Sequence, residues 1–201
     1  RTDRDVFSAL RATYGLRADN AELAADWIAR VLALLSRPLT PMAGVPEVLI
    51  GLRRSGIRLA LASSSAPAII SATIDGLGLS ALFELMVSGH DVESGKPAPD
   101  IFLEAVRRLG VRPEACLVIE DSYNGLCAAL AAGLTCVAVP CRSTAAQDFS
   151  GAAVRDGKVW SRSGPFGNAT LATRAKGRIL VEAQVRGMVA EIDALRRVAI
   201  P

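Results

Sequence analysis

Residues 57–67 read Ile57-Arg58-Leu59-Ala60-Leu61-Ala62-Ser63-Ser64-Ser65-Ala66-Pro67: a short apolar run, three serines, then a proline in the first turn of a helical pattern. Near-continuous apolar character suits a strand buried on both faces, and proline is well placed at a helix start. The same unit recurs outward from this stretch. Between Gly44 and Pro140, helical patterns at 45–54, 66–77, 101–109 and 124–132 alternate with short apolar runs at 57–62, 85–88, 117–119 and 136–139. Gly56, Gly110 and Gly133 follow three of the helices. Apolar runs joined by helices require a parallel sheet with right-handed crossovers. The sequence therefore predicts an α/β core built on a doubly wound, parallel, Rossmann-like sheet.

On either side the pattern changes. Val6, Leu10 and Tyr14, then Leu23, Trp27, Val31 and Leu34, recur at helical spacing with Gly15 and Asn20 between them, which predicts a helical subdomain over 1–37. Pro38-Leu39-Thr40-Pro41 is a stiff joint into the α/β core, placed at 38–150. Residues 157–168 are rich in Gly, Ser and Pro and read as a loop. Val181, Val185, Met188, Ile192 and Leu195 then set an apolar seam on a final helix, so that 151–201 reads as an extension. The seam is too short for a coiled coil; packing on the same chain is the default, a partner contact the alternative.

Composition narrows the function classes. With 51% apolar and 21% charged residues in 201, the chain is long enough for one good core and is neither disordered nor collagen-like. The charge-free stretch 122–141 is broken by Gly125, Gly133 and Pro140, and reads as a buried helix and strand rather than a membrane span. No basic-apolar-small leader opens the sequence, from which a cytoplasmic location is expected. Cys116, Cys127, Cys136 and Cys141 form no Cys-x-x-Cys pair and His90 is the one histidine, so neither a zinc site nor a histidine nucleophile assembles locally. The cysteines read as reduced. Residues 151–201 carry nine basic and four acidic groups, without a dense basic run or interleaved aromatics, so neither nucleic acid nor a membrane is expected as a partner.

In an open parallel sheet, ligands sit beyond the carboxyl ends of the strands. After the run 57–62, Ser63 and Ser64 offer a hydroxyl, backbone N–H groups and a helix N-terminus to a phosphate; the plainer alternative is an N-cap by Ser64 or Ser65. After 85–88 the chain delivers Gly95-Lys96-Pro97-Ala98-Pro99-Asp100. Lys96, one of three lysines among 23 basic residues, is held by turn formers as a fixed cation for phosphate oxygens, where an ordinary surface lysine is the alternative. After 117–119 come Glu120-Asp121-Ser122, with Asn124-Gly125 read as a turn. Two adjacent carboxylates at a strand end call for a cation, and Mg²⁺ is the natural one; a helix cap by Asp121 or Ser122 accounts for one residue but not the pair.

A serine, a lysine and an acidic pair on successive strand ends, in that order, resemble a known family. Leu59-Ala60-Leu61-Ala62-Ser63-Ser64-Ser65, Gly95-Lys96-Pro97-Ala98-Pro99-Asp100 and Val118-Ile119-Glu120-Asp121-Ser122-x-Asn124-Gly125 are similar to the second, third and fourth motifs of the haloacid dehalogenase superfamily, in its β-phosphoglucomutase-like branch of sugar-phosphate phosphatases and mutases. The resemblance covers about residues 6–140, with 1–37 matching part of that branch's helical cap. It implies Ser63, with the Ser64 N–H, and Lys96 as phosphate-binding and catalytic groups, and Glu120 with Asp121 as Mg²⁺ ligands. It further implies attack by an aspartate on the phosphorus of a small phosphorylated metabolite, forming an aspartyl-phosphate intermediate. The family's first motif, Asp-x-Asp-Gly after an opening strand, has no counterpart here: Asp3-Arg4-Asp5 has the spacing without the preceding strand or following glycine, and reads as the first turn of a helix after a Thr2 cap.

Three readings follow: a Mg²⁺-dependent phosphatase or phosphomutase whose nucleophile segment is absent from these residues, a catalytically inactive remnant that binds phosphate or a partner, and a receiver-like signalling domain. The acidic pair coming last in the chain counts against the third.

Overall fold

The computed structural model describes residues 3–139 together with 141, 143, 144, 146, 147 and 149. The expected loop at 157–168, the helical seam from Val181 to Leu195 and the Thr2 cap lie outside the described residues.

Helices α1 (Asp3–Tyr14) and α2 (Asn20–Leu35) occupy the N-terminal third. The start of α2 is fixed by Asp19 rather than Asn20. The Glu22 N–H donates to Asp19 Oδ1 at 2.8 Å and the Asp19 N–H donates to Glu22 Oε2 at 3.0 Å, a reciprocal capping box. Asn20 instead donates to Ser8 Oγ at 2.7 Å and ties the two helices together. Helix α2 packs on the helix at Pro67–Gly76, so the pair leans on the core. The apolar spacing that predicted these helices marks a face only partly covered here: Phe7 is buried, while Tyr14, Trp27 and Leu34 are 70%, 50% and 58% exposed.

Helix α3 (Val45–Arg54) leads through a tight turn into β1 (Ala60–Ser63), followed by α4 (Pro67–Gly76), β2 (Leu85–Ser88), α5 (Asp100–Leu109), β3 (Leu117–Glu120), α6 (Tyr123–Ala131) and β4 (Thr135–Ala138). Strand and helix alternate as the sequence predicted, and both strand pairings among the described residues are parallel. β1 lies on β2 with Ala60 opposite Leu85 and Ser63 opposite Ser88; β3 lies on β4 with Leu117 opposite Thr135 and Glu120 opposite Ala138. Among the described residues these are two separate pairs rather than one continuous ladder.

One core nevertheless serves both pairs. Ile101, Phe102, Ala105 and Val106 of α5 are buried with Val87 of β2 and with Ala128 and Ala129 of α6, and Ala62, Val118 and Cys136 pack against the same cluster. Ile101 and Val87 are almost completely enclosed, each worth roughly 1.5–3 kcal/mol by removal from water. On the other face, Leu52 and Ile57 collect both Leu59, just before β1, and Leu117 of β3. Among the described residues no helix is long and apolar enough to cross a membrane.

Candidate active site

The parallel register places Ser63 beside Ser88 at the carboxyl ends of β1 and β2. Ser88 Oγ donates to the Ser65 carbonyl at 2.7 Å, and the Ser65 N–H donates to Ser63 Oγ at 3.2 Å. Gly89 approaches so closely that a Cβ there would stand 2.9 Å from the Ser64 carbonyl oxygen. The end of β2 thus pins the serine loop, and a side chain at 89 would push it away. Helix α4 takes Ala66 as its N-cap, with no side-chain capping bond. The alternative role for Ser64 or Ser65, a cap hydroxyl, is therefore not the one the structure has.

Lys96 stands in a loop closed by Ser94, whose N–H donates to Asp100 Oδ2 at 3.1 Å, and by the Ala98 N–H, which donates to the Gly95 carbonyl at 3.0 Å. Its side chain is buried. Nζ donates to the Ala62 carbonyl at 3.3 Å, forms an ion pair with Glu120 Oε1, and lies 4.8 Å from the centre of the Phe102 ring. Lys96 therefore joins the ends of β1 and β3 across the gap between the two strand pairs. It is not a surface lysine.

Glu120 turns inward. Its Oε1 meets Lys96, and its Oε2 accepts from the Asp121 N–H at 3.1 Å, the Ser122 N–H at 3.3 Å and the Ser122 hydroxyl at 3.1 Å. Ser122 is also the N-cap of α6, its Oγ accepting from the Gly125 N–H at 3.1 Å. Gly125 lies inside α6 rather than in a turn. A Cβ at that position would overlap the Glu120 carboxylate, so the glycine is the space in which the carboxylate sits.

Asp121 faces the other way and is exposed. Its Oδ2 accepts from the Cys141 thiol at 3.2 Å. Hydrogen bonds from Ser143 and then Thr144 hold that thiol below its usual range, with Asp121 pulling in the opposite direction. Cys136, in β4, contrasts with it: burial first and the charge of Glu120 second push its thiol up to about 12.

The structure thus brings together Lys96 and Glu120, with Ser63 one residue from the Ala62 carbonyl that Lys96 also touches. Asp121 adjoins this cluster through the backbone and points outward. As a hard-cation site the donor set fits in part: Asp121 offers an open carboxylate, whereas both Glu120 oxygens already accept hydrogen bonds. Among the described residues no group of three His, Cys, Asp or Glu side chains could hold a metal ion. Sequence reasoning missed Ser88 and Gly89 as the residues that pin the serine loop, Gly125 as a packing residue and Cys141 as a neighbour of Asp121. A cysteine twenty residues downstream carries no local signal of such a contact.

A family model of haloacid dehalogenase-like hydrolases matches residues 5–133. The Protein CbbY of Rhodobacter capsulatus is 41% identical over 112 residues, 54% of this chain and 49% of that protein. Hexitol phosphatase B of Escherichia coli is 33% identical over 115 residues, 56% of this chain and 51% of that one. The chain spans about half the length of these curated relatives. Among solved structures, CbbY from Rhodobacter sphaeroides in complex with xylulose-(1,5)bisphosphate superposes with a TM-score of 0.65 at 31% identity, covering 69% of this chain and 63% of that one.

Proposed function

This chain belongs to the haloacid dehalogenase-like hydrolases, and from that premise we propose that it belongs to a Mg²⁺-dependent phosphatase or phosphomutase for a small phosphorylated metabolite such as a sugar phosphate. The observation that carries the reading is the buried Lys96–Glu120 pair set beside Ser63 at the strand ends. The name of hexitol phosphatase B and the xylulose-(1,5)bisphosphate complex of CbbY support the substrate class.

Each group has a physical task. The Lys96 ammonium, fixed by Glu120 and the Ala62 carbonyl, presents positive charge where phosphoryl oxygens gain negative charge during transfer. The Ser63 hydroxyl and the Ser64 N–H, on a loop held by Ser88 and Gly89, donate to those oxygens and orient them. Asp121, with Glu120 behind it, would hold Mg²⁺, which when bound draws charge from the same oxygens. The remaining requirement is a nucleophile. An aspartate carboxylate would attack phosphorus as the bond to the leaving alcohol oxygen breaks and that oxygen takes up a proton; water or a second substrate hydroxyl would then attack the aspartyl phosphate and release the aspartate. The gap between the two strand pairs, spanned by Lys96, is where the segment carrying that aspartate would end.

A second reading, a phosphate- or partner-binding chain without turnover, draws on the Glu120 oxygens being fully engaged by Lys96, Asp121 and Ser122. Phosphate release from a panel of sugar monophosphates separates the two. The chain alone should release no more than its Lys96→Ala variant. Joined behind an apolar strand ending in Asp-x-Asp-Gly, it should turn over, and Lys96→Ala in that extended chain should lower the rate by roughly a hundredfold or more. A folded extended chain that binds phosphate yet matches its Lys96→Ala variant would favour the second reading.

A further inference from the structure

Beyond β4, described residues between Cys141 and Phe149 return to the start of α6. The Val139 N–H donates to the Glu120 carbonyl at 2.7 Å, extending the β3–β4 pairing past Glu120. The Cys141 N–H donates to Thr144 Oγ1 at 2.9 Å, and the N–H groups of Thr144 and Gln147 donate to the carbonyls of Cys141 and Thr144 at 3.1 and 2.9 Å. Gln147 Oε1 then accepts from the Tyr123 N–H, the first of α6, at 2.7 Å, and the rings of Phe149 and Tyr123 meet edge to face at 6.4 Å between centres. These described residues form a strap tied through Val139 and Gln147 to the backbone on either side of Asp121. It sets the Cys141 sulfur 3.2 Å from Asp121 Oδ2, with Ser143 Oγ 3.0 Å from the sulfur on another side.

We propose that Cys141 is a positioning residue for Asp121: its thiol, held by the strap, donates to one carboxylate oxygen and keeps the side chain in a single rotamer with its other oxygen turned outward. The inference rests on the reading of Asp121 as a cation ligand. An exposed aspartate otherwise samples several rotamers, and a ligand that must be ordered on binding loses affinity to that ordering. Among the described residues, the Cys141 thiol is the one side chain that donates to the Asp121 carboxylate.

Two measurements test it. In the first, Mg²⁺ is added to the parent chain, Cys141→Ala, Cys141→Ser and Asp121→Asn, and the thermal midpoint is followed. Cys141→Ala should need a Mg²⁺ concentration higher by roughly two- to tenfold for half its effect, the span of one modest hydrogen bond, while Cys141→Ser keeps an O–H donor and should stay near the parent. In the second, without metal, the Asp121 χ1 rotamer is followed by NMR three-bond couplings in the parent and in Cys141→Ala. The parent should hold one rotamer, and Cys141→Ala should average over several. If Asp121→Asn abolishes the Mg²⁺ response and Cys141→Ala leaves it at the parent value, the cation site stands and the positioning role falls. If the parent shows no Mg²⁺ response, the cation reading fails by itself, and the role of Cys141 is judged on the metal-free arm: Asp121 couplings unchanged by Cys141→Ala overturn it, and averaging that appears only in Cys141→Ala retains it as the group that orients this carboxylate.

Discussion

Lys96 is among the most constrained side chains of the site. Its side chain is 10% exposed and that of Glu120 9%, so both charges have left water, and each relies on the other. Removing one partner of a buried pair is more damaging than the pair is stabilising, because the survivor stays uncompensated. Lys96→Ala should therefore cost about 3 kcal/mol in urea unfolding, and Lys96→Ala combined with Glu120→Gln should cost less than Lys96→Ala alone. A double variant as unstable as the sum of its singles would mean that the two residues act independently. Much of this was legible in sequence, because a lysine between Gly95 and Pro97 in a lysine-poor chain marks a fixed cation. The direction of Glu120 was not. Adjacency in sequence does not say which way each carboxylate turns: Glu120 goes inward to Lys96 and Asp121 outward to Cys141, a division set by Ser122 capping α6 and by the space left at Gly125.

At the scale of elements, periodicity and glycine punctuation located the helices and strands of the core closely. The run 85–88 is β2 residue for residue, and α5 ends at Gly110, which takes a left-handed conformation with φ 63°. The run 57–62 was too long because Ile57 belongs to the turn closing α3: its N–H donates to the Leu52 carbonyl at 3.0 Å and its side chain is buried against Leu52. Apolar character recorded burial there rather than a strand. The outer face of α5 carries its own electrostatic device. Arg107 and then Arg108, through hydrogen bonds, hold the Glu104 carboxyl down from 4.5 to about 2. A carboxyl depressed on folding contributes stability that is fully present above pH 4.5 and lost as the pH falls toward 2. Glu104→Gln should thus lower the thermal midpoint at pH 7, and the difference from the parent should shrink as the pH falls from 4.5 toward 2. A difference that holds constant across that range would place the role of Glu104 in packing instead.

Across the whole molecule, the alternation of apolar runs and helices gave the parallel character of the sheet but not its completeness, because strand order and edge pairing are long-range properties that no local pattern encodes. The two pairs are held at a fixed separation: Leu59 and Leu117 meet the same buried residues below, and Lys96 bridges the Ala62 carbonyl and Glu120 above. Between them, among the described residues, the facing edges of β1 and β3 have no strand partner. Ile119, in the middle of β3, is 46% exposed, unusual for a strand in a sheet covered on both sides. A strand laid between the pairs, parallel to both, would satisfy two rows of backbone groups and bury Ile119. Such a strand would need apolar residues on both its faces, since α5 and α6 lie on one side and α3 on the other. The chain extended with an apolar strand ahead of Arg1 should therefore show slower amide exchange at residues 60–63 and 117–120 than the chain alone, together with a higher thermal midpoint. Activity need not be restored for this to hold, because the prediction concerns backbone pairing alone. Unchanged exchange at both β1 and β3 in the extended chain would mean that the gap is closed by side chains, and that the two pairs are complete as they stand.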